Sequence, residues 1–551
     1  MAERLAAWLA VATATLAAQL YQPGPQVLTF LSDADDSDQP YALYLPRNFD
    51  PARKWPLVIS LHGAGSNHRL NLRRVLGRGN LPGETDAEAT RRWPPLPDVD
   101  FIVASPLARG TMGYQGLAEK DVYDVLADVQ RRFPVDEDRV YLTGLSMGGG
   151  GALRLALTRP DVWAAVAAVC PVVPPELEHL AGNALNLPVR LFHGELDPVA
   201  PVAVSRKWHR LLLDLDVPAD YIEYPGVRHN AWDRAYQNAA VLEWFKQFRR
   251  QRFPQRVRFV TDAYRYRSAY WVELDGLTPG ETASVDARFT ENNRLEIRTS
   301  GVDGFTLKLA GHPAFVSFRP LELSIDGQRV AVPRETTFPA FRKVNGRWQP
   351  GRYQPSHGEK RPGLEGPIGE AIAGRHLYVY GTAAAGSAEE IESRRRMAAQ
   401  AADWSSPRGR LLVFFRVLAD TEVTEADLRS SHLILFGTRE TNRLIARLAD
   451  RLPLELNPGA PDYGLVFVAP AGDRLVVVNS GLPFWTGAER TRRGAFGFAP
   501  LIPRLLDSFG DFILFKGSLD QVVAEGRFDR NWKVPPEAAA RMLATGAVRI
   551  R

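Results

Sequence analysis

The chain has 551 residues, more than one ordinary domain gathers around a single core, so two or three domains are expected. Its 45% hydrophobic and 24% charged content excludes a disordered or collagen-like protein. With 68 Lys and Arg against 63 Asp and Glu, the net charge of +5 is thinly spread. Arg394–Arg396 reads as a solvated helix face, and no nucleic-acid partner is expected.

The opening MAERLAAWLAVATATLAAQ carries a small, apolar run from Leu5 to Ala18. That is the length of a signal-peptide core and too short to cross a bilayer. Residues 1–18 are therefore read as a signal peptide, and the protein as periplasmic or extracellular without stable membrane insertion. A helix of the folded protein is the competing reading. The one cysteine, Cys170, allows no intramolecular disulfide, and its place after VWAAVAAV marks a buried small hydrophobe rather than a nucleophile.

Residues 25–253 alternate short apolar runs with helical periods, the pattern of a mostly parallel sheet flanked by helices. PLVISLHGAG, VDFIVASP, RVYLTGLS, PVRLFHGE and ADYIEYPG each end in turn residues. Between them, DVYDVLADVQRRF sets apolar side chains at 122, 125, 126, 129 and 133, one face of a helix. Loop chemistry in such an arrangement gathers at the carboxyl ends of the strands.

Ser146 stands at one of those ends. Gly144-Leu145-Ser146-Met147-Gly148 fits G-x-S-x-G between a predicted strand and a predicted helix, a sharp turn that exposes the hydroxyl. Asp197 follows just beyond PVRLFHGE, and His229 just beyond ADYIEYPG. In this order His229 can take the Ser146 proton while Asp197 fixes the imidazole tautomer and stabilises the imidazolium. His193 fits a strand-end turn and His209 a helix; Asp220 and Asp233 are rival acids. An oxyanion needs backbone donors, expected from Met147 and from Ala64 with Gly63 in LHGAGSN. The chemistry calls for no cofactor, and no cluster has metal-ligand spacing.

LHGAGSN, GLSMGGGGAL, HGELDP and HNAWDRAY resemble the α/β-hydrolase superfamily, and within it the prolyl oligopeptidase-related esterases, secreted bacterial enzymes often described as predicted peptidases. The resemblance covers roughly residues 40–250. It implies Ser146 as nucleophile, Asp197 as acid, His229 as base and the Gly63–Ala64 turn as oxyanion loop. Prolyl oligopeptidases carry a β-propeller ahead of this domain; with only about 25 to 40 residues there, no such gate is expected. The expectation is a serine hydrolase cleaving carboxylic esters, extracellular or polysaccharide-linked, through an acyl-enzyme. A peptidase using the same triad and a non-catalytic glycan-binding protein on this scaffold are the alternatives. Residues 68–98 are a candidate lid or substrate wall, and Tyr114, Gln115 and Trp232 are candidate substrate contacts.

Downstream, YWVELDGL, ASVDARF, RLEIRTS, FTLKLAG and LELSIDGQRVAV predict a β-sandwich-like module over 254–335. Its Tyr264, Tyr266, Tyr270 and Trp271 read as core or interdomain packing, with a platform for a glycan partner as the other reading. Residues 336–365, rich in Pro, Gly and Arg, read as a linker or long loop. Strand–helix alternation over 366–535 predicts a second, smaller Rossmann-like α/β domain. Its turns at Gly381–Thr382 and Gly437–Thr438 match no nucleotide motif.

Overall fold

The computed structural model describes residues 22–332, 336–404, 413, 415–488 and 502–551. The signal-peptide reading of 1–18 lies outside the described residues. No helix among them is long and apolar enough to cross a membrane.

Eight strands form the first sheet: β1 (Gly24–Ser32), β2 (Ser37–Leu45), β3 (Trp55–Leu61), β4 (Ile102–Pro106), β5 (Val135–Leu145), β6 (Ala165–Val169), β7 (Val189–Gly194) and β8 (Ala219–Tyr224). Their order is β1-β2-β4-β3-β5-β6-β7-β8. β2 runs antiparallel to β1 and β4, and β3 to β8 are parallel. Helices cover both faces, so β3, β4 and β6 are buried along their whole length and read as unbroken apolar runs. Helix α1 (His68–Val75) starts where the Asn67 side chain accepts the N–H groups of Arg69 and Leu70. A short α2 (Asp86–Arg91) opens on a Thr85/Glu88 capping box. The amphipathic α3 (Leu117–Arg132) and the glycine-led α4 (Met147–Thr158) follow.

Strands from Arg256 to Pro350 make two five-stranded sheets around a separate core that includes Trp271, Phe289, Phe305 and Trp348. This module reaches into the stretch expected as linker. Ala340–Val344 and Arg347–Pro350 pair as a hairpin, closed by Asn345 and Gly346 at φ 48° and 75°. Both residues at positive φ is the signature of a type I′ turn, and Trp348 explains the pairing by packing on Phe305 at 5.1 Å. The aromatic residues weighed as a glycan platform are consumed internally. Trp271 is fully buried, the Tyr266 hydroxyl donates to Glu119 at 2.6 Å, and that of Tyr270 donates to the Pro160 carbonyl.

The last domain holds a seven-stranded sheet. His376–Tyr380, Val417–Ala419, His432–Phe436 and Arg474–Gly481 are parallel, as a Rossmann-like reading expects. Tyr463–Ala471, Phe512–Lys516 and Val522–Gly526 extend it as an antiparallel half. Beyond 535, Val548–Ile550 returns to pair with Leu454–Leu456. This domain shares one continuous apolar core with the first sheet, and Arg375 pairs with Asp36 across the junction at 2.6 Å.

The loop leaving β4 is rooted by a buried cation. Arg109, at φ 58° and 2% exposed, donates to Asp35 at 2.5 Å, Asp121 at 2.7 Å and the Ser32 hydroxyl at 2.7 Å. Burial pushes the Asp121 carboxyl up to about 6 even though Arg109 pulls it back down. Removing the cation would strand both carboxylates in the interior. Arg109→Met is expected to lose about 3–5 kcal/mol of stability, read as a lower urea midpoint at pH 7.5. The deficit should shrink toward pH 5, as the stranded Asp121 takes up a proton.

Candidate active site

Ser146 occupies the turn between β5 and α4 at φ 55° and ψ −118°, a backbone pose that L-residues rarely adopt. It is held by space as much as by hydrogen bonds. A methyl on Gly144 would collide with the Gly148 carbonyl, and one on Gly148 with the Leu61 carbonyl. A methyl on Gly149 would sit 2.7 Å from the Val169 oxygen, one on Gly150 would strike the Val172 carbonyl, and one on Gly151 the Tyr114 ring. Every glycine of the run lets another backbone or ring touch the serine turn. The Ser146 N–H donates to the Val169 carbonyl at 2.8 Å, fixing the turn to the end of β6.

The structure brings the three expected side chains into one row. The Ser146 hydroxyl lies 2.9 Å from His229 Nε2, and His229 Nδ1 lies 2.7 Å from Asp197 Oδ2. An ionised carboxylate only accepts, so the proton sits on Nδ1 and leaves the Nε2 lone pair facing the serine. Burial pushes the Asp197 carboxyl up, but the His229 hydrogen bond and the N–H groups of Ala200 and Val199, at 2.9 and 2.8 Å on Oδ1, outweigh it and hold the group below its usual value.

His193, expected in a strand-end turn, touches this carboxylate. Its Nε2 lies 3.2 Å from Asp197 Oδ2 and 2.9 Å from the Ala200 carbonyl, while Nδ1 accepts from the Ser205 hydroxyl at 2.7 Å. Burial lowers its pKa, so it acts as a neutral donor beneath Asp197. Cys170, also at positive φ, donates its thiol to the His229 carbonyl at 3.3 Å. Cys170, His193 and Asp197 lie close enough together to hold a metal ion. Each already has a partner: the thiol donates to the His229 carbonyl, His193 Nε2 lies on the Ala200 carbonyl, and Asp197 accepts from His229. The rivals stand elsewhere: Asp220 pairs with Arg190, Asp233 accepts from Asn230, and His209 lies against Tyr221.

The Gly63–Ala64 turn lies against the serine, with a methyl on Gly63 falling 3.4 Å from Ser146 Cβ. The N–H groups of Ala64 and Met147 meet no acceptor among the described residues. Tyr114, expected as a substrate contact, is instead buried. It is 4% exposed, packs under α4 and donates its hydroxyl to the His62 carbonyl at 2.9 Å. The glycine at 151 leaves room for its ring. Gln115 is half-buried. Trp232 stands edge-on to His229 with ring centres 5.3 Å apart, so it braces that loop, and it also borders a cleft of about 350 Å³. Arg74, Asn80, Asn230 and Asp233 line the same cleft, so part of the 68–98 segment forms one of its walls. That wall is pinned. Arg73, 1% exposed, reaches Glu84 at 2.5 Å and the Gly79 carbonyl at 2.7 Å, and Arg74 reaches Asp86 at 2.9 Å.

Residues 119–242, which hold Ser146, Asp197 and His229, match the family described as phospholipase/carboxylesterase. The first domain has the α/β-hydrolase fold. Cutinase 1 of Thermobifida cellulosilytica is 37% identical over 102 residues, 18% of this chain and 36% of that protein. A cutinase of Thermobifida fusca is likewise 37% identical over 102 residues, 18% of this chain and 32% of its own length. The chain thus spans about a third of the length of these relatives. A solved thermostable esterase is 27% identical and covers 41% of this chain and 63% of its own, at a TM-score of 0.33. The family match ends at residue 242, and the sheets built from Arg256 onward lie outside it.

Two outcomes follow from the packing. Gly150→Ala is expected to cost about 2–3 kcal/mol or more, read by urea denaturation, because the obstacle is backbone and cannot swing aside. Cys170 is fully buried, and burial pushes its thiol up to about 12, so it stays protonated at pH 8. Iodoacetamide should leave it unmodified in the native protein and alkylate it in denaturant, as followed by intact mass.

Proposed function

We propose that the protein is a serine hydrolase that cleaves carboxylic esters through an acyl-enzyme, with Ser146, His229 and Asp197 as its catalytic triad. The observation that carries this reading is the unbroken row of contacts, 2.9 Å from serine to imidazole and 2.7 Å from imidazole to carboxylate. As Ser146 Oγ bonds to the ester carbonyl carbon, His229 Nε2 takes its proton, and the imidazolium formed is stabilised by Asp197. The carbonyl oxygen becomes an oxyanion facing the free N–H groups of Ala64 and Met147. Collapse breaks the ester C–O bond, and His229 returns its proton to the departing alcohol. Water then enters, gives a proton to His229 and attacks the acyl carbon; collapse breaks the acyl–Oγ bond, His229 returns the proton to Ser146 Oγ, and the acid leaves.

The cleft beside His229 supports a substrate class. Its lining of Arg74, Asn80, Asn230, Trp232 and Asp233 offers donors and acceptors around one aromatic edge. Such a lining suits a hydroxyl-rich leaving group better than an alkyl chain, in keeping with a polymer-linked or glycan-linked ester. The apolar N-terminal run supports export to the periplasm or beyond.

Ser146→Ala is expected to abolish labelling by a fluorophosphonate probe and to lower kcat by about 10⁵- to 10⁶-fold, and equal labelling of variant and wild type would sink the assignment. Asp197→Asn should keep the fold and lose about 10⁴-fold in kcat, because the amide favours the wrong imidazole tautomer. Paired assays on sugar acetates, alkyl acetates and proline-containing peptides decide the substrate: preference for the first supports the ester reading, and cleavage of the last alone makes the protein a peptidase.

A further inference from the structure

The oxyanion turn does not stand alone. The Gly65 N–H donates to the Thr111 hydroxyl at 2.8 Å, and the His62 carbonyl accepts the Tyr114 hydroxyl at 2.9 Å. Two residues on opposite sides of Met112 thus grip the segment that carries Gly63 and Ala64. This supporting loop, 107–116, is itself unusual backbone, with Ala108, Arg109, Gly110, Gly113 and Gly116 all at positive φ. A loop so rich in strained or glycine positions keeps one shape only when its surroundings over-determine it.

Arg109 fixes its root, as described above. Its outer bend is fixed by another domain. Arg504, more than three hundred residues away in sequence, donates from Nη1 to the Met112 carbonyl, between the two gripping residues. The guanidinium also lies against Gly113 and is steadied by Asp507 at 3.5 Å. A methyl on Gly116 would fall 4.0 Å from Ala373 of the same domain.

We infer that the C-terminal domain is a working part of the oxyanion hole, and that Arg504 is a positioning residue which sets the Gly63–Ala64 turn through Met112 and Thr111. Arg504 touches neither substrate nor triad. It acts on the placement of an N–H donor whose value depends on sub-ångström distance to the developing oxyanion. The inference rests on the esterase reading for its catalytic effect, while the mechanical coupling stands on the contacts alone.

The experiment compares full-length wild type, Arg504→Ala, Arg504→Lys and Thr111→Val. Hydrogen exchange over 62–67 reads the coupling directly. Initial rates on an activated aryl ester, per folded molecule, read its consequence. Arg504→Ala should speed exchange at 62–67 severalfold and lower kcat by about 10- to 100-fold with KM changed little, since a misplaced donor acts on the transition state. Arg504→Lys, which can still donate to the Met112 carbonyl, should restore most of both. Thr111→Val, on the other side of the relay, should reproduce the effect without touching the C-terminal domain. Unchanged exchange at 62–67, or an unchanged kcat per folded molecule in Arg504→Ala, overturns the inference, as does destabilisation of the C-terminal domain that leaves 62–67 as in wild type. A wild type that hydrolyses no ester would sink the esterase reading instead, and the exchange data would still decide the coupling.

Discussion

The constraint on which the site depends is room for backbone at the end of β5. Ser146 sits in a pose that costs energy, and it is tolerated only because carbonyls from β3, β6 and the 170–172 loop press in from every side. Those carbonyls can approach because five positions around the serine carry no β-carbon. The same closeness brings the Gly63 turn against Ser146 and the end of β7 within reach of His229. Packing density, rather than a network of strong bonds, is the first cause of the geometry.

Electrostatics then orders what packing has gathered. The Asp197 side chain is buried, and an uncompensated carboxylate there would take up a proton. Two backbone amides, the His229 Nδ1–H and a neutral His193 keep it ionised. His193 contributes without competing for the role of base, because burial denies it a charge. The nearby thiol is silenced for the same reason, which leaves Ser146 as the remaining candidate nucleophile of the two in this neighbourhood.

Much of this was legible in the chain because it is local. A glycine-flanked serine after an apolar run, and an acid and a histidine just past later runs, can be placed without knowing how the strands pair. The short Ala165–Val169 strand escaped because AVAAV has neither alternation nor the β-branched density that separates strand from helix. The Asn345–Gly346 turn carried a hairpin signal that the surrounding Pro, Gly and Arg content obscured. Its position after β4 makes Tyr114 a candidate substrate contact, yet its ring lies under α4, where Gly151 makes space. Arg504 had no signal at all, since nothing local separates an arginine that spans two domains from one that faces water.

The pinned wall at 68–98 bears on how this cleft could choose among substrates. Arg73 is satisfied entirely within the segment, by Glu84 and by carbonyls of Gly79 and Ala89, so the wall owes its shape to no ligand. A wall of that kind has its contour before anything arrives, and widening it means separating a buried charge pair. Under the proposed ester hydrolysis, bulkier alcohols would then be turned away at entry instead of being accommodated and processed slowly. A change of substrate range in such a protein would come by rewriting the segment's length and its arginines together, since neither could be altered alone without releasing the other.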